Sequence, residues 1–280
     1  MKSIVVKILI LITLSIFATS CRNDSAKIEE PKVSASTGDT TISIVGSTTI
    51  QPMAQALADG YMANNTDVII EVQGAGSSVG IQSAIHGTAD IGTTSRKLRE
   101  DEVLEFEELK EYTVAHDAIA VIVNPANPIN NFSLETTRKI FTGEISNWSE
   151  LGWEDADIVV TMREEASGTR DTFENKVGIV EPSSLALVNN SNGAVKAAVA
   201  TQAHGISYIS LGTVDKTVKT VSIGGVLPTL ETTKRGTYKI SRDLTFITEG
   251  EVSEEVGNYI DFTLSSTGQE IVKKHYLPIS

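Results

Sequence analysis

Three times in this chain a short apolar β-type run ends in a turn of small hydroxyl residues that opens directly into a helix-period segment. Residues 41–45 lead into Gly46-Ser-Thr-Thr, after which Ile50, Met53, Ala54, Leu57 and Tyr61 recur at helical spacing, with Pro52 tolerable in the first turn. Residues 68–72 lead into Gln73-Gly-Ala-Gly-Ser-Ser-Val-Gly, with Ile81, Ala84 and Ile85 heading the helix. Residues 158–161 deliver Arg163, and Ser167-Gly168-Thr169 then opens a helix carried by Phe173 and Val177. A chain that repeats strand, turn, helix folds into α/β layers with its turns gathered at the carboxyl ends of the strands.

Such turns have a specific chemistry. The first N–H groups of a helix have no partner within it and point outward with the positive end of the dipole behind them, so oxyanions bind there. In the 160–171 stretch, Gly168 lets a ligand approach the backbone, the hydroxyls of Ser167 and Thr169 add donors, and Arg163 offers a planar fork of N–H groups. Taken alone, Ser-Gly-Thr is equally an ordinary capped helix start, and a glycine-rich turn is common without a ligand. Gly-Ala-Gly-Ser-Ser has neither the spacing of a dinucleotide fingerprint nor the Gly-Lys-Ser/Thr of a P-loop.

A fourth hydroxyl turn closes residues 88–96 with Ser95 and Arg96. Beyond it, residues 101–112 read as a charged amphipathic helix, and 116–123 as the most hydrophobic strand, crossing out of a first lobe into a second. The second lobe holds a helix at 133–141, a turn at 142–149 with Trp148, the Arg163 stretch, a small-residue helix opened by Asn192-Gly193-Ala194, and a strand at 205–210. Residues 237–247 alternate as a strand returning to the first lobe, and 253–274 form a closing helix. The expected division is lobe I at 41–115 and 240–280, lobe II at 116–239.

The amino terminus belongs to neither lobe. Lys2 and Lys7 flank or enter the apolar run 8–17, which ends in Ala18, Thr19, Ser20 and Cys21, so residues 1–20 read as a secretory signal peptide. Small residues before a cysteine resemble a bacterial lipobox, with Ala18 where leucine is usual. That implies a lipidated Cys21, a polar tether over 21–40, and a domain on the outer face of the bacterial cytoplasmic membrane or in the periplasm. A plain signal peptide with an incidental cysteine is the alternative. Cys21 is the only cysteine, so disulfides play no part.

Formal net charge is −13, and removing the signal would take away two lysines and no acids. So acidic a chain is a poor nucleic-acid partner, and an anion site in it must be local, made of aimed dipoles and a few arginines. No Cys/His spacing suggests a metal, and no cofactor is expected. A secreted serine hydrolase would need a base such as His116, beside Asp117, or His204. Adjacent residues on a strand face opposite ways, however, so His116 and Asp117 cannot act as one pair. His116 reads as a strand-start residue and His86 as a helix-end one.

Five runs together resemble the PstS-type phosphate-binding proteins of bacterial ABC importers: Gly46-Ser-Thr-Thr-Ile-Gln-Pro-Met, Gln73-Gly-Ala-Gly-Ser-Ser-Val-Gly-Ile, Gly87-Thr-Ala-Asp-Ile-Gly-Thr-Thr-Ser-Arg-Lys-Leu, Arg163-Glu-Glu-Ala-Ser-Gly-Thr-Arg and Ser191-Asn-Gly-Ala-Val. The likeness runs from about Thr41 to the carboxyl terminus and is greatest to the shorter members. It implies a two-lobed α/β type II periplasmic-binding-protein fold with a discontinuous first lobe, a monomer closing on one inorganic phosphate and docking on a membrane permease. Carried over by motif, the phosphate-binding residues would be Thr48, Thr49, Ser77, Ser95, Arg96, Arg163, Ser167, Gly168 and Thr169, with Glu165 buttressing Arg163. Longer members place an aspartate where Ser95 stands, as acceptor for the proton that phosphate retains; a serine hydroxyl can accept or donate. Another tetrahedral oxyanion such as sulfate or molybdate, and a surface lipoprotein retained for adhesion, are the other readings.

Overall fold

A computed structural model describes residues 40–105 and 108–279. The signal peptide at 1–20, Cys21 and all but the last residue of the 21–40 tether lie outside the described residues. In chain order the elements are β1 (Thr40–Gly46), α1 (Gln51–Met62), β2 (Val68–Gly74), α2 (Ser77–Ile85), β3 (Ile91–Thr94), α3 (Glu100–Glu105), β4 (Leu109–Val123), β5 (Asn131–Phe132), α4 (Leu134–Thr142), β6 (Val159–Arg163) and α5 (Gly168–Val177). They continue with β7 (Leu187–Asn189), α6 (Asn192–Thr201), β8 (Gly205–Ser210), β9 (Lys219–Thr220), β10 (Ser222–Ile223), α7 (Leu230–Lys234), β11 (Ser241–Glu249), α8 (Glu254–Leu264) and α9 (Ser266–Val272). No described helix is long and apolar enough to cross a membrane.

The main sheet runs β2-β1-β3-β11-β4-β8-β6-β7, with β9 beside β4. β1, β2 and β3 are parallel, as are β8, β6 and β7, while β11 and β4 join the two groups through antiparallel pairs. Strand β4 does the joining: its residues up to Ala118 pair with β11, and from Ile119 onward it pairs with β8. Its second half, Ile119 to Val123, is buried throughout, as expected of a strand covered on both faces.

Two main apolar clusters flank this junction. One gathers Ile42, Ile44, Ile50, Leu57, Ile91, Phe246 and Tyr259 beneath α1 and α8; the other gathers Val121, Phe141, Trp148, Phe173 and Tyr208. Burying each such side chain contributes roughly 1.5–3 kcal/mol, so a few of them are enough to hold a helix in one place. Phe173 shows the effect: it stacks on Tyr208 at 3.9 Å and meets Phe141 edge-on at 4.9 Å, which seats α5 and therefore its first turn.

Three expected elements differ. The charged helix at 101–112 is only α3, because residues from Leu109 onward are taken by β4 in register with β11, Tyr112 opposite Phe246. Sheet pairing there overrides helical propensity. The returning strand begins at Ser241 rather than 237, since Thr237 folds back on α7 through Thr232. The closing helix breaks at Ser265, whose hydroxyl accepts from Gly268 N while its own proton goes to Phe262 O, ending α8 and capping α9.

Candidate functional site

Among the described residues, the starts of α1, α2, α5 and α6 are joined to one another by hydrogen bonds. Each start has a local cause. Gly76 precedes α2 at φ +98°, in the left-handed region that favours glycine. Ser167 caps α5 by accepting from Arg170 N at 3.2 Å, and Ser191 caps α6 by accepting from Ala194 N at 3.1 Å. Pro52 sits in the first turn of α1, where its missing N–H costs nothing.

The hydroxyls expected from the sequence are in contact. Thr49 Oγ1 lies 3.1 Å from Thr169 Oγ1, although 120 residues separate them in the chain. Ser77 Oγ lies 3.2 Å from Ser95 Oγ, which also accepts from Ser47 Oγ at 2.9 Å. Ser78 N donates to Ala166 O at 3.1 Å, binding the α2 turn to the α5 turn. Gly168 packs so closely that a Cβ there would stand 2.3 Å from Ser77 Oγ and 2.9 Å from Ser95 Oγ. Thr48 is half-buried at the edge, while Thr49, Ser77, Ser95, Arg163, Ser167 and Thr169 are each at most 2% exposed.

The arginines divide differently from expectation. Arg163 is buried, and its Nε and Nη2 are both held by one carboxylate at 2.9 Å, that of Glu164. The expected buttress, Glu165, is exposed, so that assignment moves by one residue. The Nη1 of Arg163 is buried without an acceptor among the described residues, a donor group left over after the ion pair is satisfied. Arg96 is not brought into the hydroxyl cluster: its fork is taken by Glu102 at 2.7 and 2.8 Å, with Ser78 Oγ and Lys97 O as further acceptors. Burial pushes the Glu102 carboxyl up, but the Arg96 fork, the Arg99 N–H and their charges outweigh it and hold the group below the ordinary range.

A third arginine does reach the hydroxyl cluster. Arg242, on β11, donates from Nη1 to Thr169 Oγ1 at 2.9 Å and to Ser95 O at 3.2 Å, and from Nη2 to Thr49 Oγ1 at 3.1 Å. It is paired across the β4–β11 ladder with Asp117, Nη2 to Oδ2 at 2.8 Å, both side chains being nearly inaccessible. Burial raises the Asp117 carboxyl and lowers the Arg242 guanidinium, and their mutual attraction works against both shifts.

Asn192 is the other residue that the motif reading passed over. Its amide donates to Thr48 Oγ1 at 3.3 Å and Thr49 Oγ1 at 3.0 Å while its oxygen accepts from Ser210 N at 3.1 Å. It lay within a quoted run, at the start of a helix, and that position was the signal. For Asp117 the signal was a carboxylate inside the most apolar strand, which demands a buried counter-charge. Nothing local marked Arg242.

A family model described as the PBP superfamily domain matches residues 32–267. The phosphate-binding protein PstS of Bacillus subtilis (strain 168) is 31% identical over 292 aligned positions, covering 100% of this chain and 95% of its own. The PstS of Borreliella burgdorferi is 32% identical, covering 98% and 97%. A phosphate ABC transporter substrate-binding protein from Clostridium perfringens, solved with bound phosphate, superposes with a TM-score of 0.84 at 38% identity, over 86% of this chain and 100% of that one. The architecture is therefore the type II periplasmic-binding-protein fold implied by the motifs.

Proposed function

Because this chain belongs to the PBP superfamily and, within it, to the PstS phosphate-binding proteins, we propose that it captures inorganic phosphate outside the cytoplasm and delivers it to the permease of an ABC importer. One observation carries the reading at the level of residues: hydroxyls from separate helix starts converge, buried, beside an Arg163 N–H that has no described acceptor. Charge-assisted hydrogen bonds contribute roughly 1.5–3 kcal/mol each, so four or five exceed the ~8 kcal/mol of a micromolar site with a surplus for desolvation and closure. Thr48, Thr49, Ser77, Ser95, Arg163, Ser167, Gly168 and Thr169 form the ligand shell in this reading. Arg96 acts from behind it.

Two lobes, 41–115 with 240–280 and 116–239, close about β4 in this reading; its pairing with β11 up to Ala118 and with β8 from Ile119 supports it. The protein works as a monomer tethered through lipid on Cys21. In this reading it is a binder; His116 lies against Asp243 and His204 against Glu154, each at 2.7 Å, and among the described residues no serine hydroxyl is hydrogen-bonded to either ring. Calorimetric titration of the domain from Thr40 onward with phosphate, then sulfate, is the test. Saturable phosphate binding that sulfate does not match supports the reading; equal competition by sulfate, or turnover of a phosphoester, overturns it.

A further inference from the structure

Most hydroxyl proton directions in this cluster follow from counting donors and acceptors. A hydroxyl has one proton and two lone pairs. Thr49 Oγ1 accepts from Arg242 Nη2 and from Asn192 Nδ2, so both lone pairs are filled and it must be the donor to Thr169 Oγ1. Thr169 Oγ1 then accepts from Thr49 and from Arg242 Nη1, and its own proton, with no acceptor among the described residues, is left for a ligand.

The serine pair counts differently. Ser47 Oγ accepts from Thr49 N and donates to Ser95 Oγ; Ser77 Oγ accepts from Ser95 N. If Ser77 donates to Ser95, Ser95 keeps a free proton and Ser77 a free lone pair. If Ser95 donates to Ser77, the two exchange roles. Either way the pair offers one O–H and one acceptor.

We infer that Arg242 is a positioning residue that commits the Thr49 proton to Thr169 and so makes Thr169 an obligate donor to the ligand, and that Ser77 and Ser95 together supply the acceptor for the proton a bound oxyanion retains. The inference rests on the phosphate reading and deepens it to a specificity: a tetrahedral oxyanion with a bare oxygen at Thr169 and its single remaining O–H at the serine pair. The serine pair thereby accepts where a carboxylate would, without adding negative charge beside the ligand. The groups facing Arg242 are Asp117 on β4, Arg163 on β6 and Tyr276 after α9, while the neighbouring Asp243 on β11 faces outward to His116.

The test is phosphate binding by calorimetry between pH 5.5 and 8.5, with sulfate as competitor, in the wild type, in R242Q/D117N, which keeps the buried pair neutral, and in N192A, which keeps the pair intact. With Arg242 gone, the threonine lone pairs reopen and accept from a doubly protonated ligand. The preference for the dianion should then fall at least about tenfold, the worth of one hydrogen bond. N192A, freeing one lone pair on Thr49, should shift the profile the same way by less. H116Q checks that the exposed His116–Asp243 pair does not set the profile. A folded variant that loses affinity equally at every pH, with an unchanged phosphate-to-sulfate ratio, makes Arg242 merely structural and overturns the inference; should R242Q/D117N not fold, an unchanged profile in N192A does so. If the wild type binds no phosphate, the phosphate reading falls and takes this one with it.

Discussion

The α-carbon of Gly168 faces the hydroxyl of Ser77 so closely that a methyl group on it would lie 2.3 Å from that oxygen, well inside van der Waals contact. Since Ser77 begins α2 and Gly168 begins α5, this contact sets how near the two helix starts can come. Gly168→Ala must hold them apart. Overpacking of this kind costs about 1–3 kcal/mol, and in the closed complex that is roughly ten- to hundredfold in phosphate affinity. Calorimetry should show the loss with little change in the enthalpy of thermal unfolding of the ligand-free protein.

Glu164 holds Arg163 through two parallel bonds, and Glu165 does not. A bidentate carboxylate fixes the plane of a guanidinium and leaves its remaining N–H aimed. Glu164→Gln should weaken phosphate binding by about tenfold, one charge-assisted bond's share, while Glu165→Gln should leave it unchanged. Equal affinities for the two variants would show that Arg163 is oriented by something else.

Glu102 gives a stability prediction with a definite sign. Its folded carboxyl lies below the ordinary range because Arg96 and the Arg99 N–H outweigh burial. A depressed acid stabilises the fold above its unfolded value, about 4.3, and that contribution is lost as pH falls through the folded value. Thermal unfolding should therefore separate wild type from Glu102→Gln at pH 7, and the gap should close steadily below pH 4. A gap that persists at pH 3 would mean the residue stabilises by packing alone.

Local chemistry was legible in the chain wherever a residue's partner lies within a few positions. Ser167 caps its own helix, Gly76 takes its own left-handed turn, and the strand, turn, helix units announce themselves by period. Reading failed where two neighbours competed for one role. Glu164 and Glu165 differ in sequence by one position, and only the pleat of β6 and the turn after it decide which meets Arg163. Arg96 looked as suited to an anion as Arg163 until α3 supplied Glu102 as its counter-charge.

The sequence by itself determined the α/β class, the hydroxyl-bearing helix starts and the family, because helix caps, strand runs and motif residues are short-range signals written in consecutive positions. Tertiary structure alone decided which charges surround the cluster. Arg242 reaches Thr49 from 193 positions away and Asp117 from 125, through the register of one antiparallel ladder. A register that sets one residue opposite another is chosen by the burial of the whole strand, and no local pattern encodes it.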